Sequence, residues 1–167
     1  MSEIIPLSFD DFLQGAPLET PEKKAIEDSI TLRFSNERIE WTRKVKEMSL
    51  LLKRLPDVIS LQSSIYTERQ LAVEYYHYLI SLLQKINKSY TKQYAEKYDY
   101  YSNKSQRRFP NERNKELQII SELGDLKLKK DAIENHSKFI LGVTTTLDNI
   151  IYGIKSRIDI ENILNGK

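Results

Sequence analysis

Apolar residues recur along most of the chain at steps of three, four or seven, the spacing that places them on one face of a helix. The first stripe is Ile26, Ile30, Phe34, Trp41, Val45, Met48, Leu52 and Leu55. Thr20-Pro21-Glu22 supplies its start: an oxygen-bearing cap, a proline whose missing N–H costs nothing there, and an acid near the positive helix end. Pro56 is expected to end this helix, and residues 56–66 read as a connector with little period. A second stripe opens at Thr67 and runs Leu71, Tyr75, Leu79, Leu82, Ile86, Tyr90, Tyr94 and Tyr98. Its first half is aliphatic and its second half aromatic. Residues 103–114, polar and basic around Pro110, read as an exposed loop, and Leu117 to Ile120 is too short to assign.

The last stripe opens at Gly124-Asp125, with Asp125 as the expected cap. Ile133, Ile140, Leu147 and Ile154 are seven apart, Val143 and Ile150 lie three beyond the middle two, and Ile151 and Ile158 widen the face. This is a coiled-coil-like seam interrupted by Gly142 and Gly153. A continuous helix to Leu164 would be about 40 residues and roughly 60 Å long. That exceeds what a chain of this size is expected to cover with its own residues. Ile140, Val143, Leu147, Ile150, Ile154 and Ile158 are therefore expected to drive self-association. The fold class is all-α or mainly α: helical hairpins with a long C-terminal oligomerisation helix. Three regions follow: residues 1–20, an acidic, partly flexible leader with a short turn capped by Ser8; residues 21–116, a helical hairpin region; and residues 117–167, the C-terminal helix.

Composition narrows the class. The 167 residues include only 5 Gly and 5 Pro, with 40% hydrophobic and 30% charged residues, which excludes collagen-like, low-complexity and wholly disordered chains. With no Cys there is no disulfide framework, thiolate zinc site or thiol nucleophile. The longest apolar run, Phe139 to Val143, falls far short of the ~20 residues a membrane span needs. The N-terminus lacks the basic start and apolar core of a signal peptide, so a soluble intracellular protein without membrane contact is expected.

Charge is distributed unevenly. Residues 1–30 hold seven acids against two bases, and residues 85–115 hold nine bases against three acids. Catalytic chemistry has little to stand on. His77 and His136 are far apart in sequence and outside any recognisable metal spacing, and there is no phosphate-binding glycine loop. Acids interleave with bases at helical spacing, as solvated faces and i,i+4 pairs do. No catalytic residue, metal or cofactor is expected.

The basic and aromatic segment says more. Lys85, Lys88 and Lys92 share one side of a helix, and Lys97 follows. Tyr90, Tyr94 and Tyr98 form a second row, with Tyr100 and Tyr101 where the helix should end. Lys104, Arg107, Arg108 and Arg113 come from the loop. Cations for phosphates beside flat rings for unstacked bases are what single-stranded nucleic acid needs. The same rows also read as a packed tyrosine stripe and a solvated lysine face.

Two segments resemble a known family. Glu96-Lys97-Tyr98-Asp99-Tyr100-Tyr101-Ser102 is similar to the Tyr-Tyr element of the UvsY family of T4-like phage recombination mediators, with Asn103 in place of the usual glycine. Thr146-Leu147-Asp148-Asn149-Ile150, followed by Lys155-Ser156-Arg157, looks like that family's terminal helix. The resemblance covers roughly residues 75–167. It implies a non-enzymatic protein that binds single-stranded DNA as a homo-oligomeric ring, a heptamer in that family. Such a protein helps a RecA-like phage recombinase displace the phage single-strand-binding protein in the cytoplasm of the infected bacterial host. Of the family's Lys-x-Arg pair before the Tyr-Tyr element, only the second position is basic here, as Lys97, because the first is Ala95. The DNA-binding residues expected on this reading are Lys85, Lys88, Lys92, Lys97, Tyr100, Tyr101, Lys104, Arg107 and Arg108. The rival expectation is a helical adaptor or assembly scaffold that meets other proteins.

Overall fold

The computed structural model describes residues 21–52 and 55–166. The acidic leader with its Ser8 turn, and the Thr20 cap, lie outside them. Four α-helices follow in order: α1 (Pro21–Leu51), α2 (Leu55–Asp99), α3 (Glu112–Glu122) and α4 (Gly124–Leu164), with a π-helical turn (Tyr100–Lys104) closing α2. There is no strand among the described residues, and the fold is all-α as the periodicity predicts.

The expected connector at residues 56–66 is helix. Pro56 falls in the first turn of α2, where a proline is tolerated, and begins that helix instead of merely ending the one before. Val58, Leu61 and Ile65 continue at helical spacing into Ala72, Leu79, Leu82 and Ile86, and all seven are buried. Thr67 therefore sits inside the helix, and its hydroxyl donates to the Ser63 carbonyl at 3.2 Å instead of capping. Leu71, assigned to the stripe, is half exposed, and Ala72 beside it is fully covered. Residues 117–120 belong to α3, which Asn111 caps by accepting from the Asn114 N–H at 2.9 Å. Of residues 103–114, expected as a loop, only 105–111 form the short passage, while 103–104 lie in the π turn and 112–114 in α3. Asp125 lies in the first turn of α4 and is not its cap, and Gly142 and Gly153 do not interrupt that helix.

Helices α2 and α4 make the most extensive contact, and α1 lies along α4 with a lighter contact on α2. Ile65, Leu79 and Ile86 of α2 meet a core that includes Ile133, Ile140, Leu147 and Ile154 of α4, all essentially without exposure. Each such side chain contributes roughly 1.5–3 kcal/mol through burial. The seam expected to drive self-association is thereby filled within one chain. Ile140, Val143, Leu147, Ile150 and Ile154 are buried here, and only Ile158 stays partly open, at 36% exposure. The physical reason is length: a 45-residue α2 can cover a 41-residue α4. Exposed apolar residues gather at the end of α4, at Tyr152, Ile160, Ile163 and Leu164.

Candidate functional site

The α1 stripe has a polar residue in its core register. Ile30, Phe34, Glu37, Trp41 and Met48 step by four, three, four and seven, and all five are buried. The α4 stripe does the same at His136, three residues after Ile133 and four before Ile140. These two positions meet. Glu37 Oε2 lies 2.9 Å from His136 Nε2 and accepts from the Tyr75 hydroxyl of α2 at 2.5 Å. Glu37 Oε1 accepts from Arg33 Nε at 2.8 Å. Phe34 stacks on the His136 ring at a centroid distance of 4.2 Å, and Phe139 stacks at 6.1 Å.

Burial raises the Glu37 carboxyl, but hydrogen bonds from His136, Tyr75 and Arg33 outweigh it and hold the carboxyl below its ordinary range. Burial, and then the bond to Glu37, push the Tyr75 hydroxyl far above its usual range. The result is a carboxylate that stays charged beside a phenol that stays neutral. His136 is fully covered, so it cannot reach a substrate as a general base must. The cluster ties three helices together. Its sequence signal was available: a charged residue and a histidine, each at a position where the stripe demands an apolar one.

Beside the cluster an open groove runs between α1 and α4. It comprises two adjoining hollows of about 610 and 580 Å³ that share Thr31, Ser35, Ala132 and Asn135. Ile30, Phe34 and Phe139 add apolar surface to it, and Leu32 and Leu128 stand exposed beside it. Arg38 lines the second hollow with its guanidinium 5.6 Å from the Phe139 ring centre. Its Nε is buried and has no hydrogen-bond partner among the described residues. Neither this groove nor Arg38 was predicted from the sequence.

The residues singled out for DNA binding are brought to one end of α2, but acids come with them. Lys97 pairs with Glu122 at 2.5 Å, and Lys104 with Asp99 at 2.9 Å. Lys92 stands 3.8 Å from Glu96. Lys115, which lies over the Tyr98 ring at 4.0 Å, pairs with Glu112 at 2.9 Å. Arg107 lies 5.1 Å from the Phe109 ring centre. Lys85, Lys88 and Arg108 are exposed. Tyr90, Tyr94 and Tyr98 stack in sequence, and the Tyr98 and Tyr101 hydroxyls donate to Glu112 and Glu122. Tyr100 is half exposed. Three of these acids, Glu96, Asp99 and Glu112, belong to the segment itself, and folding adds Glu122 from outside it, so nine bases face four acids and an excess of positive charge remains. No metal-holding cluster occurs among the described residues.

A family model described as the ubiE/COQ5 methyltransferase family matches residues 7–143. On that match the chain belongs to the ubiE/COQ5 methyltransferase family. No curated protein and no solved structure matches it. The match corrects several expectations drawn from the resemblance to the UvsY family. Methyltransferases are enzymes, so the expectation of no enzymatic role does not stand, and the recombination-mediator assignment falls with it. Single-stranded DNA, a recombinase, a single-strand-binding protein and a self-assembled ring lose their support as partners. The adaptor alternative gains none.

Membership implies a methyl donor, S-adenosylmethionine, and the residues present do not fit it. A bound nucleoside or nucleotide is commonly held on a glycine-rich turn between a strand and a helix, where the missing side chain lets backbone approach the ligand. The five glycines of this chain, at 15, 124, 142, 153 and 166, include no two within eight residues of each other. A Cβ added at Gly124, Gly142 or Gly166 would meet nothing within 4 Å, and at Gly153 only Leu52 at 3.6 Å, so none of them lines a cradle. The match also stops at Val143, midway along α4, leaving Leu147, Ile150, Ile151 and Ile154 of the same core outside it. Family match and fold thus disagree about the donor, and on what these side chains can hold the fold is the more direct observation.

Proposed function

We propose that the chain binds a small, flat, apolar molecule bearing an acidic group in the groove between α1 and α4. The observation that carries this reading is the buried, unpartnered Nε of Arg38 beside the Phe139 ring. A buried donor without an acceptor costs about 1–3 kcal/mol, which an anionic ligand oxygen would relieve. Phe34, Ala132 and Phe139 supply apolar surface for a ring, and Thr31, Ser35 and Asn135 supply polar groups. The hollow's volume lies within the ~300–1,000 Å³ range of small-molecule sites. A small-molecule ligand also accords with membership of a methyltransferase family.

Calorimetric titration with naphthalene-2-carboxylate and its carboxamide tests this. The acid should bind about tenfold more tightly than the amide, the ratio that ~1.4 kcal/mol of charge-assisted bonding produces. Arg38→Met should remove the difference while leaving the helical circular dichroism unchanged. Equal affinity for the two compounds, or discrimination surviving in Arg38→Met, refutes the site.

A further inference from the structure

We infer that this chain has no S-adenosylmethionine site of its own, so that any methyl transfer it takes part in draws its donor from another chain. The inference does not depend on the Arg38 groove. It rests on three observations. The described residues contain no strand, and all five glycines stand apart, so no glycine-rich turn exists anywhere in the sequence. The hollows among the described residues are also wrong for an adenosyl sulfonium. The enclosed one, between α1 and α2 at Phe34, Tyr75 and Leu79, holds about 30 Å³, the room of a single water. In the α1–α4 groove the carboxylate available to ribose hydroxyls is Asp131, and Lys129 beside it and Arg38 further along disfavour a cationic donor.

Equilibrium dialysis of the full chain against radiolabelled S-adenosylmethionine tests this, with S-adenosylhomocysteine as competitor. We expect no saturable binding up to about 1 mM, the concentration at which a ligand held by only ~4 kcal/mol would half-saturate. Saturable binding of one donor per chain, displaced by the competitor, overturns the inference. The naphthalene-2-carboxylate titration run in parallel keeps the two proposals apart. Acid binding without donor binding upholds both, and donor binding overturns this one whatever the acid does. A folded chain that binds neither compound leaves this inference supported and refutes the groove.

Discussion

Replacing Glu37 by alanine should be the most damaging single change on α1. The side chain accepts from Tyr75, Arg33 and His136, and its removal leaves three donors without an acceptor. They do not count equally. Arg33 and Tyr75 are only partly buried and can turn toward water. His136 is fully covered, held between Phe34 and Phe139, and cannot. The loss is therefore expected near ~3–5 kcal/mol, the range for breaking one side of a buried charged contact, and not three separate penalties summed. For a chain of this length that lowers the melting temperature by roughly 6–20 °C. Urea unfolding followed through the buried Trp41 measures it, with circular dichroism confirming that the variant starts folded. Tyr75→Phe should cost about 1–2 kcal/mol alone and almost nothing on top of Glu37→Ala, since the shared bond is already gone. A Glu37→Ala cost below about 1 kcal/mol, or additive effects of the two changes, would show that the cluster does not hold the helices together.

Other outcomes follow from the same structure. Glu37 and Glu122 have folded-state pKa values below the ordinary carboxylate range. Burial raises Glu122, but Lys97, Tyr101 and Gln118 outweigh it and bring it to about 2. Their stabilisation is present above the unfolded value of ~4.3 and is lost as pH falls through the folded values, so the urea midpoint should drop between about pH 4.5 and pH 2. A flat profile there would contradict the pairing. Tyr75, raised in the folded chain, has the opposite sense: its contribution fades from about pH 10 upward, and Tyr75→Phe should remove that alkaline decline. Lys97→Ala should move the Glu122 carboxyl upward in an NMR titration while costing no more than ~1 kcal/mol, because the pair is partly exposed. Leu147→Ala, in the filled seam, should cost ~2–5 kcal/mol, whereas Ile163→Ala, three-quarters exposed, should stay within about 0.5 kcal/mol. Similar costs for the two would mean that the seam is not the core.

Periodicity makes the helices legible because burial selects apolar residues at helical steps. Ile133, Ile140, Leu147 and Ile154 mark α4 in the sequence and mark its buried face in the structure. Periodicity fails where one residue has two meanings. Pro56 ends a helix or begins one, and only the burial of Val58, Leu61 and Ile65 shows which. It also fails to name a stripe's partner: the α4 seam suits a second copy as well as it suits α2. Charge pairing escapes the sequence for a related reason: Glu122, outside the basic segment of residues 85–115, folds back onto Lys97 and Tyr101. The Glu37–His136 contact was hidden because its members are 99 positions apart, although each breaks its own stripe. The Arg38 groove had no linear signal, because it depends on how two helices diverge.

Helix α1 is fastened differently from the other long helices. It adds Ile30, Phe34, Trp41 and Met48 to the core and is tied by Glu37 to His136 and Tyr75 and by Lys44 to Glu68, but its contact is far lighter than that of α2 and α4, which grip each other along most of their length. A fluctuation that lifts α1 as a unit would leave the α2–α4 pair standing, with an imidazole and a phenol briefly wetted. Amide protons of α1 should then exchange with solvent well before those midway along α4, making the molecule a stable two-helix spar with a detachable strap.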